Sequence, residues 1–244
     1  MDIGDVGVAR CLENLLAVRG RVAEACRRAG RDPGGVTVVA VTKYVGSDLA
    51  RGLVQAGCRD LAESRPQSLW AKAAALADLE PTPRWHLVGH LQRNKVRRTL
   101  PLVSLVHSLD SPRLLEACAA EAEALDTTCT ALVEVNLSGD PGRTGATESE
   151  AEAIVTAAAG LPRMRIRGLM GMASVPDHDP TAARREFARL REFRDRLAGR
   201  VPGGTDLVEL SMGMSGDYEA AILEGATLVR IGSALFEGVS LRGN

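Results

Sequence analysis

A lysine follows a stretch of β-branched residues early in the chain. The run Val36–Val41 is dominated by valine, and Lys43 comes two residues after it. A run this apolar is typical of a strand that is buried on both faces, as in a parallel sheet. The chain has 30 Lys+Arg residues, and only Lys43, Lys72 and Lys95 are lysines. Because arginine is used almost everywhere else, Lys43 suggests chemistry that arginine cannot perform, such as forming a Schiff base through a neutral amine. The alternative is an ordinary solvated lysine at a strand end.

Two short segments near the end of the chain combine glycine with hydroxyl side chains. They are Ser211-Met-Gly-Met-Ser215 and Arg230-Ile-Gly-Ser233, and each follows an apolar run. Backbone N–H groups at the start of a helix can bind phosphate when small side chains allow a close approach. The alternative is that the glycines serve tight turns and the serines cap helices. Because the segments occur as a pair on the last two apolar runs, we favour phosphate binding.

The rest of the chain predicts the frame that positions these residues. Strand-like and helix-like segments alternate, which predicts right-handed βαβ units and a parallel sheet. The predicted strands are Val36–Val41, Cys58–Ala62, Trp85–Val88, Leu102–His107, Thr130–Val135, Ile166–Met170, Leu207–Leu210 and Leu228–Ile231. The predicted helices between them include Arg93–Leu100 and Pro112–Ala124. Eight such units in 244 residues favour a single (β/α)8 barrel over a doubly wound open sheet. We expect one domain over residues 1–244, with an extra N-terminal helix at about 6–29 and the barrel at about 36–238.

A closed barrel would bring the lysine and the two glycine segments together. The first and last strands are neighbours in such a barrel, and its active sites lie where strands end. A ligand for this arrangement has an aldehyde at one end and a phosphate at the other. Pyridoxal 5′-phosphate (PLP) has that shape.

Five motifs of the chain resemble the pyridoxal phosphate homeostasis protein family. They are Ala40-Val-Thr-Lys43, Trp85-His-Leu-Val-Gly-His-Leu-Gln-Arg-Asn-Lys95, Arg167-Gly-Leu-Met170, Leu210-Ser-Met-Gly-Met-Ser215 and Val229-Arg-Ile-Gly-Ser-Ala-Leu-Phe236. The resemblance runs from about residue 10 to residue 238. It implies a single-domain barrel similar to the N-terminal domain of alanine racemase, a fold type III protein.

The resemblance also implies roles for individual residues. Lys43 would hold PLP as an internal aldimine, and Arg230 would approach the pyridine nitrogen. The phosphate would be surrounded by Ser211, Ser215, Gly232 and Ser233. A permanent guanidinium at the ring nitrogen disfavours a second positive charge there. The pyridine would then stay unprotonated and be a weak electron sink, which suits carbanion chemistry poorly.

Further positions around the site follow the family less closely. Met212 and Asn136 are implied as neighbours of the cofactor pocket. After the second strand the family shows Gly-Glu-Asn, whereas this chain has Ala62-Glu63-Ser64. The Ser64 hydroxyl could take the place of the missing amide.

Two functions remain open for such a barrel. One is a carrier that buffers PLP and hands it to PLP-dependent apo-enzymes; the other is a fold type III amino-acid racemase. Those racemases add a C-terminal β domain that supplies a second base, and this chain leaves no room for one after Phe236. Two-base racemisation needs a group on each face of the substrate carbon, and the two tyrosines, Tyr44 and Tyr218, offer no convincing partner for Lys43. The sequence therefore favours the carrier, with weak racemase activity at most.

Composition restricts the remaining possibilities. A formal net charge of −1 without a basic block disfavours nucleic acid and anionic membranes as partners. Five cysteines without C-x-x-C spacing fit reduced thiols in the cytoplasm. His86 and His90 are four residues apart across a strand end, so we predict no metal site. Because a barrel leaves no free sheet edge, we expect a monomer.

Overall fold

The computed structural model describes residues 3–174, 180–201 and 206–239. Its eight strands form a closed barrel in the order β1 to β8, with β8 paired in parallel to β1. The strands are β1 Thr37–Val41, β2 Asp60–Glu63, β3 Arg84–Leu87, β4 Val103–Leu109, β5 Cys129–Val135, β6 Met164–Gly171, β7 Glu209–Ser211 and β8 Leu228–Ile231. The predicted barrel is confirmed, and the open sheet is wrong because the first and last strands pair.

In the described part of the chain, eight helices surround the barrel. They are α1 Ile3–Arg28, α2 Ser47–Gln55, α3 Pro66–Ala75, α4 Val96–Thr99, α5 Pro112–Ala124, α6 Glu148–Ala158, α7 Pro180–Ala198 and α8 Tyr218–Leu223. α1 is the extra helix, and it packs against α2 and α8. The side chain of Asn14 on α1 donates hydrogen bonds to the carbonyls of Leu235 (3.1 Å) and Glu237 (2.9 Å). The extra helix is thereby tied to the segment that follows β8.

Local sequence explains where several helices begin. Ser111 caps α5 by accepting a hydrogen bond from the N–H of Leu114, and a proline occupies the first helical position. Thr147 and Glu150 form a reciprocal capping box at the start of α6. The helix that we predicted at Arg93–Leu100 is broken into α4 and two flanking 3-10 turns, Arg93–Lys95 and Leu100–Leu102. Pro101 lies in the last of these turns, and proline lacks the N–H that a continuing helix needs.

The barrel has two apolar regions. The larger lies between the strands and the outer helices. The smaller fills the barrel interior and is formed by Val39, Val41, Ala62, Leu105, Leu132, Met170 and Leu228. Branched and apolar side chains of this kind normally fill such barrels. Among the residues that the structure describes, no helix is long and apolar enough to cross a membrane.

Candidate functional site at the mouth of the barrel

Lys43 lies directly beyond the carboxyl end of β1, at the mouth of the barrel. The preceding residue, Thr42, is fully buried, whereas Lys43 is exposed. The Nζ atom of Lys43 lies 4.8 Å from the centre of the Tyr44 ring, which is itself largely exposed. The amine is therefore accessible from the mouth while the backbone that carries it is anchored in the barrel.

A buried ion pair fixes the backbone just before Lys43. The Nζ atom of Lys72 donates hydrogen bonds to Glu63 Oε1 at 2.5 Å and to the carbonyl of Thr42 at 2.6 Å. The Thr42 hydroxyl donates to the same Glu63 oxygen at 2.6 Å. The side chains of Lys72 and Glu63 are only 12% and 1% exposed. The sequence motifs do not assign Lys72 or Glu63 to the site, although the scarcity of lysine and the place of Glu63 at a strand end are signals for them.

The loop after β7 brings a hydroxyl to two backbone donors after β8. Ser215 Oγ accepts hydrogen bonds from the N–H groups of Gly232 and Ala234, both at 3.2 Å. Gly213 makes this loop possible because its φ is +90° and a Cβ atom there would lie 2.8 Å from the Cα of Tyr218. Two backbone N–H groups therefore converge on one point, which Ser215 Oγ occupies and where an anion would accept the same two donors.

The two ends of the proposed ligand site are adjacent. β1 and β8 pair with Val39 opposite Arg230 and Ala40 opposite Ile231. A Cβ atom on Gly232 would lie 3.6 Å from the carbonyl oxygen of Val41. Lys43 comes two residues after Val41, so the structure brings the lysine strand end and the loop after β8 together, as the sequence predicted.

Arg230 lies inside the barrel below these loops. Its Nη1 donates to the carbonyl oxygen and to Oγ of Ser211, both at 2.7 Å, and its Nη2 donates to the carbonyl of Gly171 at 3.0 Å. Burial lowers the pKa of Arg230 to about 10, although Asp217 and Glu134 act in the opposite direction. Arg230 therefore remains a cation at neutral pH, and its three hydrogen bonds use three of its five N–H donors.

Two residues expected near the phosphate or the pocket lie in the barrel wall or interior. The Ser211 hydroxyl is fully buried and hydrogen-bonds Arg230 and His107. Met212 is fully buried in the outer apolar region. By contrast, Ser233 is exposed at the mouth. The side chain of Ser211 thus faces a different direction from the hydroxyl of Ser215.

Asn136 organises the loop that follows β5. Its amide nitrogen donates to the carbonyls of Asp140 (2.7 Å) and Arg143 (3.3 Å), and its amide oxygen accepts from the backbone and hydroxyl of Ser138. Asn136 also lines a small cavity together with Glu134 and Met172. Because both the nitrogen and the oxygen of the amide are hydrogen-bonded within its own loop, Asn136 contributes to the mouth by holding the backbone of that loop in place.

The barrel interior contains polar side chains that no sequence motif connects. His86 on β3 and His107 on β4 are buried, and their rings hydrogen-bond each other at 2.8 Å. Burial, and next the neighbouring His86 and Arg230, lower the pKa of His107 well below its usual value. Alternation along the strands could have indicated inward side chains, but the bond from His107 to Ser211 joins residues 104 positions apart. Within the described residues, no three His, Cys, Asp or Glu side chains are arranged to hold a metal ion.

Comparison with known proteins defines the class to which this barrel belongs. Residues 14–239 match the family model described as alanine racemase, N-terminal domain. A pyridoxal phosphate homeostasis protein of Pseudomonas aeruginosa is 38% identical over 92% of this chain and 94% of its own length. One from Escherichia coli K12 is 32% identical over 91% of this chain and 94% of its own length. The chain therefore belongs to the pyridoxal phosphate homeostasis protein family, within the alanine racemase N-terminal-domain class.

Solved structures show the same relationship. PipY of Synechococcus elongatus, in a structure with PLP bound, is 33% identical and superposes with a TM-score of 0.82, over 93% of this chain and 99% of that chain. Alanine racemase of Bartonella henselae is only 16% identical, with a TM-score of 0.67 over 95% of this chain and 59% of that one. The racemase contains the same type of barrel, and at 16% identity this similarity shows only a common fold.

Proposed function

We propose that the protein binds PLP at the barrel mouth through a Schiff base to Lys43 and acts in PLP homeostasis as a buffer and carrier. The observation that carries the proposal is the adjacency of an accessible lysine and an anion-binding loop across the β1–β8 pair. The family supports it, since relatives bear the name pyridoxal phosphate homeostasis protein and PipY has been solved with PLP bound.

The residues present fit both ends of PLP. For the phosphate, the hydroxyls of Ser215 and Ser233 offer neutral donors without a bulky side chain. The N–H groups of Gly232 and Ala234, which donate to Ser215 Oγ, would donate to the phosphate once the Ser215 hydroxyl turns towards it. For the aldehyde, the Glu63–Lys72 pair holds the Thr42 carbonyl and so fixes the starting point of Lys43. The amine of Lys72 is already engaged by the Glu63 carboxylate and the Thr42 carbonyl, whereas Lys43 is exposed at the mouth.

Arg230 would face the pyridine nitrogen of the bound cofactor. A buried guanidinium there disfavours a proton on the ring nitrogen, because two positive charges would lie close together at low effective dielectric. PLP supplies electron-withdrawing chemistry best when its ring is protonated, so Arg230 favours holding the cofactor over turning over a substrate. Ser211 would contribute by orienting Arg230, while Met212 and Asn136 would support the pocket from its wall and rim.

The positions of the tyrosines also favour a carrier over a racemase. Tyr218 is buried, and its ring packs against Arg21 of the outer helix α1 at 5.9 Å. Tyr44 lies next to Lys43 in the chain and contacts its amine. Neither arrangement provides a base on the opposite face of a substrate from Lys43, as two-base racemisation requires.

The proposal extends to location and partners. All five cysteines are free and buried, which supports a reduced, cytoplasmic environment. The recipients of PLP would be PLP-dependent apo-enzymes. We further propose that the chain acts as a single PLP-binding domain and as a monomer, since the sheet closes on itself.

Visible absorbance and racemase assays test this function. Purified protein incubated with PLP should develop imine absorbance that is lost in Lys43→Arg and retained in the matched variant Lys95→Arg. Alanine and other amino acids should show no more than trace racemisation under the same conditions. A robust racemisation rate that disappears in Lys43→Arg would contradict the carrier and favour the enzyme.

A further inference from the structure

A line of buried polar side chains crosses the barrel interior from one side to the other. Asp60 Oδ1 lies 3.1 Å from His86 Nε2, and His86 Nδ1 lies 2.8 Å from His107 Nε2. His107 Nδ1 then lies 2.8 Å from Ser211 Oγ, which accepts a hydrogen bond from Arg230 Nη1. The line joins β2, β3 and β4 to β7 and β8, although such interiors are normally apolar.

The far end of the line is anchored by a charged pair. Asp60 is the first residue of β2 and Arg84 is the first residue of β3, so both lie at the amino-terminal end of the barrel, opposite the mouth. Arg84 Nη2 donates to Asp60 Oδ2 at 2.5 Å. Burial raises the pKa of Asp60, but the hydrogen bonds from His86 and Arg84 outweigh it and leave this pKa below its usual value. Asp60 is therefore an ionised carboxylate at neutral pH and can only accept hydrogen bonds.

The ionised carboxylate gives the line a single direction when each imidazole carries one proton. His86 must donate from Nε2 to Asp60, so its Nδ1 must accept from His107 Nε2. The remaining nitrogen of His107, Nδ1, must then accept the hydroxyl proton of Ser211. Because the Ser211 hydroxyl donates its proton to His107, the lone pairs of its oxygen accept the hydrogen bond from Arg230.

We propose that Asp60, His86 and His107 are positioning residues that act through Ser211 to fix the orientation of Arg230 towards the cofactor ring. The inference rests on the proposed function, because the group that Arg230 would address is the pyridine nitrogen of PLP. Arg230 is buried, and its hydrogen bonds go to three uncharged oxygens. We call this directed line of hydrogen bonds the relay. Because it directs the Ser211 hydroxyl proton to His107, Ser211 Oγ can only accept from the guanidinium. Buried polar networks of this kind specify a single arrangement.

Histidine tautomers provide the first test, and they require no cofactor. Long-range proton–nitrogen NMR on the wild-type protein at pH 7.5, with His86→Asn and His107→Asn used for assignment, distinguishes the two ring nitrogens. His107 should be neutral with its proton on Nε2, and His86 should carry a proton on Nε2. A proton on Nδ1 of His107 would reverse the relay and overturn the proposal.

Discrimination between two ligands provides the second test. We would measure dissociation constants for PLP and for 1-deazapyridoxal 5′-phosphate, which has carbon in place of the ring nitrogen. Wild-type protein should prefer PLP, and His107→Leu should reduce this preference by about tenfold, because the Ser211 hydroxyl loses its buried acceptor and no longer presents a fixed lone pair to Arg230. His107→Asn should retain most of it, since the amide oxygen can still accept from Ser211. The control His90→Asn, at an exposed histidine outside the relay, should match the wild type.

The outcomes separate this inference from the proposed function. If the wild type forms the Lys43 Schiff base and discriminates between the ligands, but His107→Leu discriminates equally well, the relay is overturned and the carrier function stands. If the wild type binds both ligands equally, Arg230 does not address the ring nitrogen and the relay is again overturned. If no Schiff base forms on Lys43, both fail. Should His107→Leu fail to fold, the tautomers of the wild-type protein decide the question.

Discussion

At the scale of single residues, each proposed role depends on a neighbour that fixes it. Lys43 is accessible because it lies two residues beyond the buried end of β1, and Lys72 and Glu63 hold the intervening Thr42 in place. Ser215 brings a hydroxyl to two backbone donors, while Ser211, four residues earlier, points into the barrel. The two serines of one motif therefore have different roles, and their spacing in the sequence alone could not show this.

Removing Lys72 should destabilise the protein more than a typical surface change. Lys72→Met leaves Glu63 as a buried charge without its cation, and breaking such a pair typically costs about 3–5 kcal/mol. Urea unfolding followed by circular dichroism would measure the change. The double variant Lys72→Met/Glu63→Gln should recover part of the loss, because the charge left behind is removed as well.

A surface pair offers the matched control for Lys72. Arg51 and Asp78 form a bidentate salt bridge on the exterior. Asp78→Asn should leave the urea midpoint essentially unchanged, because solvent screens an exposed pair. Equal losses in Lys72→Met and Asp78→Asn would show that the Glu63–Lys72 pair has no special role.

At the scale of elements, the turn between β7 and α8 connects the site to the fold. The carbonyl of Gly213 accepts a hydrogen bond from the N–H of Arg230 at 3.0 Å, and the N–H of Met214 donates to Asp217 at 2.6 Å. The positive φ of Gly213 lets the chain pass close to Tyr218 and Ala221 of α8. The loop that we propose to bind phosphate therefore depends on one backbone conformation that glycine adopts readily.

Substituting Gly213 should weaken both stability and PLP binding. In Gly213→Ala the new Cβ would lie 2.6 Å from the Cβ of Ala221, and the left-handed backbone adds strain of about 1–3 kcal/mol. Gly20→Ala is the control, since Gly20 is in the middle of α1 with no atom near its added Cβ. Gly20→Ala should stabilise the protein by about 0.5–1 kcal/mol. Thermal unfolding and PLP titration would measure both variants, and unchanged PLP affinity in Gly213→Ala would contradict the role of this loop.

At the scale of the whole molecule, alternation of apolar runs with helical periodicity predicted the architecture well. The strand at Thr37–Val41 begins one residue after its predicted start, and α5 has its predicted bounds. The strand β7 is short and covers only Glu209–Ser211, because few residues of this segment pair with both β6 and β8. The relay could not be predicted, since it depends on which side chains face inward and on contacts between strands far apart in sequence.

The buried histidine also gives the molecule a predicted pH dependence. The pKa of His107 is lowered in the folded state, so between this pKa and its usual value of 6.5 the unfolded chain binds more protons. Stability is therefore full above about pH 6.5 and falls as the pH decreases, by up to about 1.4 kcal/mol per pH unit for one proton. His107→Asn should show a shallower decline between pH 7 and 5 in urea unfolding. An identical slope in the variant would mean that His107 is not a buried neutral group.

Borohydride reduction followed by peptide mass mapping tests the role of Lys43 most directly. Reduction converts a Schiff base into a stable secondary amine, and arginines between Lys43, Lys72 and Lys95 place the three lysines of the chain on separate tryptic peptides. We predict that the phosphopyridoxyl group is found on Lys43 alone after incubation with PLP. An adduct on Lys72 or Lys95, or none at all, would contradict the proposed site.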